Sequence, residues 1–266
     1  MLRFLPLLAL VSALFGAPVA AQTGAAVVRT DQVRAELLAH APEGVKPGKP
    51  LWLGLRIQHA KDWHTYWKNP GDSGLPTQLE WQLPAGITAG EIAWPTPKKF
   101  PIGPLANYGY EASVLLPVPF TVAPGFKGQT LTVGLQASCL VCRKECIPQE
   151  GSFSVTLPAQ GPTVGQAAAF ADAAERAPKP SAAQGGMVPG EQALAVTLKG
   201  LPADWVGQDL AFFPETPAVI EPGAAWTQAW EGSTWTARIP LSAQRAESPE
   251  RMPVVLARAG DVGPGE

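Results

Sequence analysis

All three cysteines of the 266-residue chain fall within eight positions, in the run Ser138-Cys139-Leu140-Val141-Cys142-Arg143-Lys144-Glu145-Cys146-Ile147-Pro148. Disulfides that staple a scaffold are spread along a chain to close long loops. A cluster like this one reads as a site that exchanges electrons, holds a metal or pins one hairpin. Disulfide Cα atoms stand about 4.4–6.8 Å apart, whereas residues four apart on one extended strand are separated by about 13 Å. Cys142 and Cys146 can therefore bond only if Arg143-Lys144-Glu145 forms a three-residue hairpin loop, which brings them to roughly 4.5–5.5 Å as cross-strand neighbours. That pairing is the first choice. Cys139–Cys146 would need a wider turn, and Cys139–Cys142 a helical or tightly bent one. Arg143 and Lys144 would stabilise a thiolate beside them, with Glu145 partly opposing. As a metal site, Cys139, Cys142 and Cys146 offer three soft ligands for Cu(I) or zinc, with His64 as a fourth if the fold brings it near. As a plain structural disulfide, the pair would leave one buried free thiol in a non-enzymatic interaction domain.

The elements that must position these sulfurs read as β-strands. Val33–Leu38, Leu51–Gln58, Trp63–Lys68, Gln78–Gln82, Ile87–Trp94, Ser113–Phe120, Gln129–Leu140 and Gly151–Leu157 are short apolar or alternating runs. Turn signals separate them at about 8–12 residues, the pattern of an immunoglobulin-like sandwich. The 29 prolines and 27 glycines are scattered, mostly between such runs, and most of the nine tryptophans fit core packing. Pro95–Gly109 interrupts the pattern as a long proline-rich, strand-poor segment whose apolar residues, Phe100 among them, suggest a lid over the thiols. Residues 164–176 favour a helix, with Thr163 as N-cap and Pro178 as stop. Lys179–Gly190 reads as a Pro/Ala/Gly linker, and strands resume from Glu191. The domain reading is thus a signal peptide at 1–21, an immunoglobulin-like domain at 22–160, a helix and linker at 161–190, and a second, smaller β-sandwich at 191–266. The second is short for a complete sandwich, so the chain is read as ending there or continuing past Glu266.

The start of the chain sets the compartment. Met1-Leu2-Arg3, an apolar run from Phe4 to Phe15 and the small residues Val19-Ala20-Ala21 form a secretory signal too short to span a membrane. The cysteines then meet oxidising conditions, where disulfides persist unless a reductant is supplied. A formal net charge of −2 without a basic block gives no reason to expect nucleic acid. No Gly-x-Ser-x-Gly elbow or phosphate-binding glycine loop is present, so hydrolase and nucleotide chemistry have no support. The histidines His40 and His59 read as ordinary surface or core residues.

Cys142-Arg143-Lys144-Glu145-Cys146-Ile147-Pro148 resembles the signature of the periplasmic N-terminal domain of DsbD/ScsB thiol:disulfide interchange proteins. Asp62-Trp63-His64-Thr65-Tyr66-Trp67-Lys68-Asn69-Pro70-Gly71-Asp72-Ser73-Gly74 is similar to that family's early strand and loop. Trp94-Pro95, Pro97 and Phe100, followed by Tyr108-Gly109-Tyr110-Glu111, are similar to its cap region. The resemblance covers most of residues 30–160, and less specifically residues 191–266, which resemble a second β domain of the copper-tolerance-associated ScsB branch. It implies an immunoglobulin-like domain that takes two electrons from a membrane-embedded donor domain, in the same longer polypeptide or separate, and passes them to periplasmic thioredoxin-like proteins. Cys146 would form the mixed disulfide, Cys142 would resolve it, Phe100 would cap the pair, and Tyr66 and His64 would line the site. No bound cofactor is implied. Cys139 departs from the family's usual pair as an accessory thiol, and the membrane-spanning donor is absent from this sequence.

Overall fold

The structure, a computed structural model, describes residues 25–163, 165–245 and 249–262. The signal-peptide reading of residues 1–21 lies outside the described residues. The first strands are β1 (Val27–Arg29), β2 (Val33–His40), β3 (Leu51–His59), β4 (His64–Gly71), β5 (Gln78–Gln82) and β6 (Ile87–Ala89). They are followed by β7 (Lys98–Ile102), β8 (Leu105–Glu111), β9 (Ser113–Val122), β10 (Thr130–Cys142) and β11 (Cys146–Pro158). Helix α1 (Ala167–Arg176) leads to β12 (Gln184–Pro189), β13 (Ala193–Lys199), β14 (Leu210–Pro214), β15 (Thr227–Glu231), β16 (Thr234–Pro240), β17 (Val254–Arg258) and a short α2 (Ala259–Val262).

The chain is all-β and immunoglobulin-like. One antiparallel sheet runs β1-β2-β3-β9-β6, and the facing sheet runs β11-β10-β4-β8-β7 with β5 added to β10. Strand β10 shows why this sequence makes a half-buried strand: Leu131, Val133, Leu135 and Ala137 are buried, while the alternating residues Thr130 and Thr132 are exposed and Gly134 and Gln136 are half-buried. These residues join Leu53, Leu55, Ile57, Leu116 and Val118 of the facing sheet in one core, where each large side chain contributes about 1.5–3 kcal/mol of burial.

A second core gathers Leu194, Val196, Leu210, Phe212, Trp235 and Ile239 around the sheet β12-β13-β16-β15. The ribbon β14–β17 is shared between the cores. Leu210 and Phe212 face the second core, while Phe213, Val255 and Ala257 belong to the first. Alternating side chains point to opposite faces of a strand, so a strand buried on both sides reads as the unbroken run Leu-Ala-Phe-Phe-Pro.

Three local expectations are corrected. Pro95–Gly109 is not strand-poor: its second half is a hairpin, with Lys98 paired to Gly109 and Ile102 to Leu105. Pro101 is tolerated because β7 lies at the end of its sheet among the described strands, where a missing N–H breaks no inner ladder. Thr163 does not cap α1. The N-cap is Gln166, without a side-chain cap bond, and the Thr163 hydroxyl instead accepts from the Ala41 N–H at 2.8 Å. The segment read as linker contains β12, paired to β13 from Gln184–Lys199 to Pro189–Leu194. Gly185 is needed there, because a Cβ would overlap the Thr197 carbonyl oxygen of the neighbouring strand.

Candidate functional site

Cys142 and Cys146 end one strand and begin the next, facing each other as the last pair of the β10–β11 ladder. Their Cα atoms are 4.1 Å apart and their sulfurs are bonded at 2.00 Å. Arg143, Lys144 and Glu145 form the loop, closed by an Arg143 N–H donating to the Glu145 carbonyl at 3.0 Å. The same rung continues across the sheet, since Cys142 pairs with His64 and His64 with Glu111. The disulfide thus sits at one end of a row that crosses β11, β10, β4 and β8.

Strand parity explains why the pair is covered on one side only. Leu131 to Val141 place odd-numbered residues in the sandwich core, so even-numbered Cys142 points to the outer face. It is nevertheless only 2% exposed, while Cys146 is exposed. Strand β4 follows the same rule. Trp63 and Trp67 enter the core, and His64 and Tyr66, buried but outside that core, share the outer face with the disulfide.

Phe100 of β7 stacks on His64, with ring centroids 4.9 Å apart and planes 12° from parallel. Tyr66 meets the same imidazole edge-on at 5.3 Å. The Tyr66 hydroxyl stands 3.7 Å from Cys146 Sγ, and because a disulfide sulfur carries no hydrogen, the hydroxyl is the donor. Asn107, fully buried on β8, donates its side-chain amide to the Tyr66 oxygen at 3.4 Å. Its orientation is fixed by Ser73, whose N–H and hydroxyl both donate to Asn107 Oδ1, at 3.2 and 3.0 Å. Ser73, Asn107 and Tyr66 therefore form a chain of donors ending on sulfur. Sequence reasoning missed Asn107 and Ser73 as site residues, although Ser73 lies inside the Asp62–Gly74 motif and Asn107 immediately precedes Tyr108-Gly109-Tyr110-Glu111.

Burial lowers the affinity of His64 for a proton, with Glu111 opposing the shift, so the imidazole under Phe100 is held neutral. Its Nε2 is sealed from solvent and makes no hydrogen bond among the described residues. Burial raises the Tyr66 pKa, against the Asn107 hydrogen bond, which keeps the hydroxyl a proton donor. Lys98 pairs with Glu111 at 2.9 Å beside this row. In the loop, Arg143 stacks over Trp63 at 4.9 Å and pairs with Glu145 at 3.5 Å, so part of the charge expected to act on the thiols is already engaged.

The structure does not bring the three cysteines together. Cys139 lies three residues before Cys142 on the opposite, core-facing side of β10. Burial pushes its thiol up to about 11. Among the described residues no group of three or more His, Cys, Asp or Glu side chains is placed to hold a metal. His40 stacks on Phe170 of α1, and His59 Nε2 lies 3.0 Å from the Thr65 hydroxyl; neither is one of the rings around Phe100.

The profile of the family described as "Thiol:disulfide interchange protein DsbD, N-terminal" matches residues 34–158. Among solved structures, the N-terminal periplasmic domain of ScsB from Proteus mirabilis aligns with a TM-score of 0.64 at 16% identity. That alignment covers 90% of this chain and 95% of the other, so the shared fold extends into the second β unit. A conserved domain protein from Bacillus anthracis aligns at a TM-score of 0.26 and 8% identity, over 88% of this chain and 89% of that one, too distant to inform the fold. No curated protein matches the sequence significantly.

Proposed function

Residues 34–158 are a thiol:disulfide interchange domain of the DsbD/ScsB N-terminal family, and on that premise we propose that the chain relays two electrons between proteins through Cys142 and Cys146. The observation that carries this reading is the asymmetry of one disulfide: Cys146 is exposed at a hairpin tip, and Cys142 is buried beside His64.

In the proposed cycle a thiolate of an electron donor attacks Cys146 Sγ. The Cys142–Cys146 bond breaks, its electron pair leaves on Cys142 Sγ, and a mixed disulfide joins Cys146 to the donor. A second donor thiol then attacks the donor's own sulfur, releasing reduced Cys146 and an oxidised donor. In the next half, Cys146 thiolate attacks the disulfide of an acceptor, and Cys142 attacks Cys146 to resolve the mixed disulfide. Two electrons and two protons pass, and no cofactor is required. The Tyr66 hydroxyl, aimed at Cys146, stabilises the thiolate in each half by a charge-assisted hydrogen bond. Phe100, on its short strand, covers the outer face between encounters and must move aside for a partner. The setting is the periplasm, the donor a membrane-embedded domain, and the acceptors thioredoxin-like proteins, as the family implies. No helix among the described residues is long and apolar enough to cross a membrane.

Cys146→Ser should abolish exchange, and Cys142→Ser should accumulate a mixed disulfide with a thioredoxin-like protein, read on a non-reducing gel. Full activity in both variants would remove the proposal. A pair that stays closed across glutathione redox buffers would identify a structural staple instead.

A further inference from the structure

We propose that the second β unit is a brace that holds the cap hairpin over the disulfide, with Gly223 and Asp72 as positioning residues. Asp72 follows β4, and its Oδ2 accepts two backbone N–H groups, from Ala106 in the cap hairpin at 2.7 Å and from Gly223 in the second unit at 3.0 Å. The Asp72 N–H in turn donates to the Ala106 carbonyl at 3.0 Å. Gly223 lies so close to the hairpin tip that a Cβ would overlap the Pro104 carbonyl oxygen and stand 2.7 Å from Leu105 Cα. Only glycine fits there without moving the hairpin.

The second unit also grips the root of the cap. Phe213, fully buried, packs edge-on against Tyr108 at 5.1 Å and Trp67 at 6.3 Å. Tyr108 is the cross-strand partner of Lys99, the residue before Phe100. Asn69 donates to the Pro214 carbonyl at 2.8 Å, and Lys68 pairs with Glu215 at 2.8 Å. Between these two grips a cavity of about 480 Å³ separates Lys99 and Tyr108 from Glu221 and Trp226. The bracing is therefore concentrated at the tip and the root, where a single residue can release it. Strand β7, which carries Phe100, is held only by β8 among the described strands, so fixing β8 and the tip fixes the position of the cap ring. What this means for electron transfer rests on the exchange reaction proposed above; the mechanical coupling does not.

The test uses the full chain with Gly223→Ala, Asp72→Ala and Asp72→Asn. Amide hydrogen exchange over residues 98–107 of the oxidised protein should quicken about tenfold in Gly223→Ala, which displaces one hydrogen bond, and further in Asp72→Ala, which removes the bonds to both Ala106 and Gly223. Asp72→Asn keeps an acceptor oxygen and should stay near wild type. Reduction of the disulfide by dithiothreitol should quicken in the same order. Unchanged exchange in both Gly223→Ala and Asp72→Ala overturns the brace, as does a rise equally large in β13 and β16. Quicker exchange with unchanged reduction overturns its control of the thiols. Phe213→Leu, which loosens the grip at the root and leaves both Asp72 bonds in place, decides between these outcomes if Gly223→Ala fails to fold. Both readouts are independent of any protein partner, so failure of the relay reading would leave them intact.

Discussion

Two hairpins flank β4, and they are built in opposite ways. The cysteine hairpin has two 13-residue strands that keep register from Thr130–Pro158 to Cys142–Cys146. The cap hairpin has strands of five and seven residues, and its inner strand slips register against β4 between Tyr66 and Gly71. A long ladder with one face in the core fixes where the sulfurs sit. A short strand at a sheet end can open at a small fraction of the global free energy. On the exchange reaction proposed above, the stiff hairpin carries the reacting atoms and the soft one their cover.

The comparison breaks if truncation costs the same in both. Leu135→Ala, in the core face of β10 at 1% exposure, should lower global stability by about 2–5 kcal/mol. Phe100→Ala, at a half-buried position, should cost roughly 1 kcal/mol and quicken reduction of the disulfide by small thiols. Denaturant unfolding of the two variants measures the contrast. Equal losses would make the cap part of the core.

Acid sharpens the same contrast where the hairpins meet. Burial pushes His59 down to about 4, helped by the nearby His64 and opposed by the Ala112 backbone and Glu111. Burial lowers His64 as well. The folded protein keeps both imidazoles neutral at pH values where the unfolded chain protonates them. Stability is therefore complete above about pH 6.5 and declines as the pH falls from there toward 4, by roughly 2–3 kcal/mol for His59. Unfolding free energies across that interval check the sign. His64→Gln should reduce the slope, and a stability that rises on acidification would contradict the assignment.

Sequence spacing alone made the Cys142–Cys146 hairpin legible, because three residues between two alternating runs admit few closures. The apolar residues of a proline-rich segment already pointed to Phe100 as part of a cover, whereas Tyr66 and His64 were expected to line the disulfide only through motif resemblance, since nothing in a single sequence says which strand lies beside which. Asn107 was hidden because Pro101 and Pro104 made its segment look like a loop, whereas a proline at a sheet end costs no inner hydrogen bond. Strand β12 was hidden for a related reason: Gly185 and Gly186 lower strand propensity, yet Gly185 is what permits the close approach to Thr197. The shared ribbon β14–β17 showed no alternation because both of its faces are buried.

The smallest expected effect tests whether the stiff hairpin also insulates its two faces. Cys139 and Cys142 share a strand, yet one faces the core and the other the cap. Cys139 is held protonated at neutral pH by a thiol pKa of about 11, and the thiolate is the reactive form. Cys139→Ala should therefore lower stability by about 1 kcal/mol or less, and leave the rate of Cys142–Cys146 reduction within about twofold, a barrier change below about 0.5 kcal/mol. Stopped-flow reduction by dithiothreitol measures it. A tenfold change would mean that the core thiol reaches the disulfide through or around the sheet, and the register of β10 would then no longer separate Cys139 from the Cys142–Cys146 pair.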